Sequence, residues 1–212
     1  MIGRHVVRCA LGALLVVCAA TSGWAAAGAQ DQLKGAIDRV VKTLDNPALK
    51  GENKVADRRA AVRKIADEIF DFGEIAKRSL GRYWPPLTEP QRTEFVSLFA
   101  DLLERSYISK IELYGGERIL YNGERVEGDL ATVSTKIITK NGTEVPIDYR
   151  LFRRGESWLV YDVNIEGVSL VSNYRTQFNK IIQTSGYNTL VDRMKTKQNE
   201  FLEESGQKKA QK

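Results

Sequence analysis

Ala131-Thr132-Val133-Ser134-Thr135-Lys136-Ile137, then Asn141-Gly142, then Val145-Pro146-Ile147-Asp148-Tyr149-Arg150-Leu151, is the stretch that decides the fold of this 212-residue chain. Ala131, Val133, Thr135 and Ile137 alternate with polar neighbours, the period of two that a half-buried strand requires. Asn-Gly supplies the two residues that tolerate the positive φ of a tight hairpin turn, and Val145, Ile147, Tyr149 and Leu151 then resume the alternation. Arg154-Gly155-Glu156-Ser157 makes another turn before a strand from Trp158 to Ile165, and Arg118 to Val126 supplies one in front. The pattern predicts a meander of about four antiparallel strands with one apolar face.

On either side of the meander the period becomes helical. Leu33, Ile37, Val40, Val41 and Leu44 recur at helical spacing, and Asn46-Pro47 ends the pattern. A second helix is predicted from about Lys54 to Phe70, with Val55, Val62, Ile65, Ala66 and Ile69 on one face; Asp71 caps a short third that stops near Gly81. Tyr83-Trp84-Pro85-Pro86-Leu87 is a rigid link, after which Thr88 and Gln91 make a capping box. Phe95, Leu98, Phe99, Leu102, Leu103, Tyr107 and Ile111 form the strongest apolar stripe, and Gly115-Gly116 closes it. After the strands, Ser169 begins a helix carrying Leu170, Val171, Tyr174, Phe178, Ile181 and Ile182 on one face; Gly186 ends it, and a more polar helix runs from Tyr187 to about Glu204. This order predicts a single α+β unit over residues 30–204, its sheet curved around helices packed on one face, with a disordered polar tail over 205–212.

The start of the chain is different in kind. Arg4 and Arg8, the apolar run from Cys9 to Ala20, and the small residues of Ala25-Ala26-Ala27 or Ala27-Gly28-Ala29 have the layout of a secretory signal over residues 1–29. Its removal takes away His5, Cys9 and Cys18, the chain's entire histidine and cysteine content. Zinc sites built on His or Cys, Ser-His-Asp and Cys-His nucleophiles and disulfide frameworks are thereby excluded from the exported protein. Two arginines leave with the signal, so 30 basic residues face 27 acidic ones. The two signs are interleaved, which argues against nucleic acid; the slight excess fits transient contact with anionic head groups or an acidic partner, and equally a merely soluble surface.

No motif specifies an enzyme. Gly115-Gly116 lacks the preceding strand and following helix of a phosphate-binding loop, and the turn accounts for Asn141-Gly142-Thr143, which also matches a glycosylation acceptor. Asp148, Tyr149 and Asp162 could serve as general acid or base in a pocket, although on alternating strands such residues ordinarily face solvent or satisfy local hydrogen bonds. The aromatic and aliphatic stripes fit a filled core, and equally a core opened to admit an apolar ligand.

Certain stretches carry a resemblance. In the first half these are Phe70-Asp71-Phe72, Leu80-Gly81-Arg82-Tyr83-Trp84, Leu87-Thr88, Gln91-Arg92, Phe95, Phe99, Leu102-Leu103 and Ser106-Tyr107. The second half adds Gly155, Trp158, Val160-Tyr161-Asp162-Val163, Ile165-Glu166-Gly167-Val168-Ser169-Leu170, Asn173-Tyr174-Arg175 and Gln177-Phe178. Together they resemble the MlaC-type periplasmic phospholipid-binding proteins of the toluene-tolerance family, and Pro85-Pro86 after Trp84 is the departure from that pattern.

The resemblance implies a nuclear-transport-factor-2-like fold enclosing a deep apolar cavity for acyl chains, with the head group near its mouth. It further implies a monomeric carrier that exchanges phospholipid between an outer-membrane lipoprotein complex and an inner-membrane ABC transporter, maintaining outer-membrane lipid asymmetry without catalytic residue, metal or cofactor. On matched positions it places the lining at Tyr83, Trp84, Phe99, Leu103, Tyr107, Tyr149, Leu151, Trp158, Val160, Val163, Val168, Leu170, Tyr174 and Phe178. Of these, Trp158 and Phe178 suit pure core, while Arg175 suits an internal pairing as well as a phosphate. Carriage of another apolar lipid such as a hopanoid, or small-molecule catalysis on a similar cone-shaped fold, are the alternatives.

Overall fold

The hairpin forms as the alternation requires. β2 (Leu130–Ile138) pairs antiparallel with β3 (Glu144–Arg154), Val133 opposite Tyr149 and Thr135 opposite Ile147, and Gly142 in the turn has φ 79°. The computed structural model describes residues 27–210, and side chains over 27–200. The body of the predicted signal, with His5, Cys9 and Cys18, lies outside the described residues.

β1 (Arg118–Glu127) flanks β2, and β4 (Ser157–Ile165) flanks β3. With β5 (Val168–Ser169) they form one antiparallel sheet in the order β1-β2-β3-β4-β5. β5 adds to the four predicted strands. Glu166 and Gly167 both take positive φ, 51° and 85°, and turn the chain back within two residues, so Ser169 both ends this strand and, as predicted, begins the helix that follows, its hydroxyl accepting the Ser172 N–H at 3.1 Å. Register shifts between Tyr121 and Gly123 and between Arg150 and Leu151 are bulges, which bend the sheet.

Among the described residues five α-helices accompany the sheet: α1 (Ala29–Asp45), α2 (Val55–Ile69), α3 (Phe72–Leu80), α4 (Glu89–Glu112) and α5 (Leu170–Ala210). The Asp71 carboxylate accepts the Glu74 N–H at 2.8 Å to start α3, and the Thr88/Gln91 capping box starts α4. Gly186, at φ 84° and ψ 164°, divides α5 into two helices as predicted, and the second passes Ser205, where the sequence predicts a tail.

Two cores result. In one, Ile75 and Leu80 of α3, Phe95, Phe99 and Leu103 of α4, and Phe178 and Leu190 of α5 pack together. In the other, Ala29, Leu33 and Ala36 of α1 and Ile65 and Ile69 of α2 pack on Ala131, Val133, Leu151, Trp158 and Val160 of the sheet. Phe70 touches both cores, and the Asp71 N–H donates to the Val160 carbonyl at 3.0 Å, stitching helices to sheet.

Candidate functional site

The sheet core fills only one end of the concave face. Along β2, burial falls from Val133 and Thr135, at 0% and 2% exposed, to half-buried Ile137; along β3 it falls from Leu151 through Ile147 to half-buried Val145. What lies opposite these last residues is a cavity of about 700 Å³. That is within the roughly 300–1,000 Å³ range of small-molecule sites.

Its walls are mostly aliphatic, with Arg63, Glu104 and Asp162 also at its border. α1 contributes Ile37, Val40, Val41 and Leu44, and α2 contributes Val62, Ile65, Ala66 and Ile69. Ala100, Leu103, Tyr107, Ile108 and Ile111 come from α4, and Ile119, Ile137, Val145, Ile147, Tyr149, Val163 and Ile165 from the sheet. The rim at the hairpin end carries Lys110, Tyr114, Glu117, Thr139 and Leu113, the last 80% exposed.

The same local rules that form the elements point these residues inward. The helical stripe of α1 is continuous, but its first half packs on the sheet, where Gln32 accepts the Trp158 N–H at 2.7 Å and donates to the Glu156 carbonyl. Its second half diverges over the cavity. Between α2 and α4 the seam is polar: Arg58 and Arg59 donate to Glu112 at 2.9 and 2.8 Å, and Arg63 donates to Glu104 at 2.6 Å. Burial raises the Glu112 carboxyl, but the hydrogen bonds from Arg59 and Arg58 outweigh it and hold the group below the ordinary carboxylate range.

Among the expected lining residues, Leu103, Tyr107, Tyr149, Val163 and Leu170 border the cavity. Others are placed elsewhere. Phe99, Tyr83, Trp84, Tyr174 and Phe178 belong to the helical core, where Phe99 meets Tyr174 edge-on at 4.9 Å and Phe178 at 5.1 Å; aromatic rings interlock and leave no space. Leu151, Trp158 and Val160 close the inner end, and Val168 on the short β5 is exposed. Arg175 pairs internally, its Nε donating to the Arg78 carbonyl at 2.8 Å. The α1 and α2 walls are apolar stripes in the sequence, and a stripe reads alike whether protein or void lies opposite.

The site offers little to catalysis. Asp162 borders the cavity, yet its carboxylate accepts from the Val171 N–H at 3.0 Å, the Ser169 hydroxyl at 2.7 Å and Arg150 at 3.3 Å, which makes it the cap of α5. Asp148 is not part of the lining. Burial pushes the Tyr149 phenol up to about 12, so it stays neutral. Among the described residues no His, Cys, Asp or Glu cluster could hold a metal ion, and no helix is long and apolar enough to cross a membrane.

This architecture has known counterparts. A phospholipid-binding protein from Ralstonia solanacearum, solved in complex with a phospholipid, superposes with a TM-score of 0.70 at 29% identity, covering 80% of this chain and 96% of that one. The intermembrane phospholipid transport system binding protein MlaC of Haemophilus influenzae is 27% identical over 141 residues, 64% of this chain and 66% of the relative. Toluene tolerance protein ttg2D of Pseudomonas putida is 26% identical over 128 residues, 59% of this chain and 60% of the relative. The chain thus spans slightly less than two thirds of the length of these curated relatives. The MlaC protein family model matches residues 34–196, a range that runs from α1 into α5 and takes in every wall of the cavity, and the chain belongs to that family.

Proposed function

We propose that this protein is a periplasmic carrier that holds phospholipid acyl chains in the cavity and passes them between membranes, and that it is not an enzyme. The observation that carries the proposal is the aliphatic cavity of about 700 Å³, in a fold whose Ralstonia relative was solved with a phospholipid. Burying a methylene is worth about 0.8 kcal/mol, so drawing one chain of roughly fifteen carbons out of a bilayer exposes on the order of 12 kcal/mol of apolar surface. Only near-complete enclosure offsets that. A lining of Val, Ile and Leu makes the exchange close to neutral and therefore reversible, so net direction comes from the partners.

In this reading Ile37, Val41, Leu103, Ile147, Tyr149 and Val163 surround the chains, and the head group sits at the rim beside Lys110. The partners are an outer-membrane lipoprotein complex and an inner-membrane ABC transporter, and the secretory signal brings the chain between them. Incubating the purified protein with vesicles of radiolabelled phospholipid and separating the two by flotation tests this. Label comigrating with protein is expected; label confined to the vesicles at every protein concentration overturns the proposal.

A further inference from the structure

The sheet wall of the cavity, mostly aliphatic, also carries hydroxyl groups. Tyr149 borders it from β3, and among the described residues its hydroxyl has no hydrogen-bond partner. Thr135 borders it from the neighbouring strand, fully buried, its Oγ1 donating to the Ile147 carbonyl at 3.0 Å, so the lone pairs of that oxygen remain free to accept. Tyr121 is paired with Thr135 across β1 and β2, and its buried hydroxyl also lacks a partner.

Register puts the three hydroxyl-bearing side chains on one face of three adjacent strands. Thr135 faces Tyr121 directly and Tyr149 diagonally, a separation that aromatic side chains bridge. Leaving a hydroxyl unpartnered in an apolar surround costs stability, and buried polar groups in folded proteins are nearly always paired. A cavity for bare hydrocarbon is better served by Phe at position 149.

We propose that Tyr149 and Thr135, with Tyr121 behind them, form a hydroxyl subsite within the acyl cavity that favours chains bearing a mid-chain hydroxyl group. Tyr149 donates to the ligand oxygen, and the ligand hydroxyl donates to the free lone pairs of Thr135. Tyr149 lies four residues, about 13 Å at strand rise, from Val145 toward the closed end, so the oxygen it meets belongs to the chain and not to a head group held at the rim. The neutral phenol keeps its proton at every physiological pH. The proposal rests on the cavity being an acyl-chain site.

The test is displacement of a fluorescent acyl probe by stearate and by a mid-chain hydroxystearate, which share a carboxylate and differ in one oxygen. The ratio of hydroxystearate to stearate affinity is expected to fall about tenfold in Tyr149→Phe. A second measurement guards against a variant that does not fold. In the unmodified protein the tyrosine Fermi doublet in resonance Raman spectra is expected to report a new phenol hydrogen bond with hydroxystearate and none with stearate. An unchanged affinity ratio with stearate still bound, or an unmoved doublet, overturns the subsite alone. Failure of both chains to displace the probe overturns the carrier reading as well.

Discussion

The two ends of the concave sheet face are made by the same strands and do opposite things. At the closed end Val133, Leu151 and Val160, all 0% exposed, meet Trp158 and the first turns of α1, and Gln32 fastens that helix to β4. At the hairpin end the equally apolar Ile137, Val145 and Ile165 face a void, and the helices over them are joined across the seam by arginine–carboxylate pairs. The difference separates two tasks that a filled core would fuse. One end, with the aromatic cluster of α3, α4 and α5, holds the fold; the other is free to exchange its contents.

If that division is right, equal chemistry should have unequal consequences at the two ends. Leu151→Ala, at the closed end, is expected to cost about 3–5 kcal/mol in urea unfolding, because it opens a cavity among packed neighbours. Val41→Ala, whose side chain faces the void, is expected to cost under about 1 kcal/mol in the same measurement. Comparable losses would erase the distinction.

The next effect in size is on binding. Ile147→Trp places an indole where the chains are proposed to lie, and phospholipid uptake from vesicles is expected to fall at least about tenfold while the melting temperature stays within a few degrees. Leu151→Trp, two turns of the pleat deeper, is expected to fail to fold, because overpacking a filled region forces backbone shifts.

The smallest effect is at the seam. Glu112→Gln is expected to lose about 1 kcal/mol at neutral pH, since the pairs with Arg58 and Arg59 are only partly shielded from water. The native Glu112 carboxyl lies below its unfolded value near 4.3, so its contribution is complete above that value and disappears as pH falls through the native one. The stability gap between parent and variant should therefore be constant from about pH 6 to 8 and close toward acid.

Where local chemistry decides, the sequence was legible. Alternation and Asn141-Gly142 predicted β2 and β3 with inward-facing residues correct from Ala131 to Leu151, and Thr88 with Gln91 marked the start of α4. β5 was missed because it is two residues long and depends on Glu166 accepting a positive φ, which a side chain other than glycine does not advertise. The lining was only half legible for a different reason. Aromatic residues attract assignment to a ligand site, but here Phe99, Tyr174 and Phe178 satisfy one another, and the cavity falls to aliphatic residues of α1 and α2 whose stripes look like ordinary core. Which half of the α1 stripe is covered depends on where the sheet lies, and Gln32 meets Trp158 only 126 residues along the chain.

Native mass spectrometry of the protein after exposure to phospholipid vesicles, beside Ile147→Trp treated in parallel, reports most directly whether acyl chains occupy the open end. The expected result is a protein–phospholipid complex for the parent and free protein for the folded variant. A parent that carries no lipid, or a variant that carries as much as the parent, would contradict it.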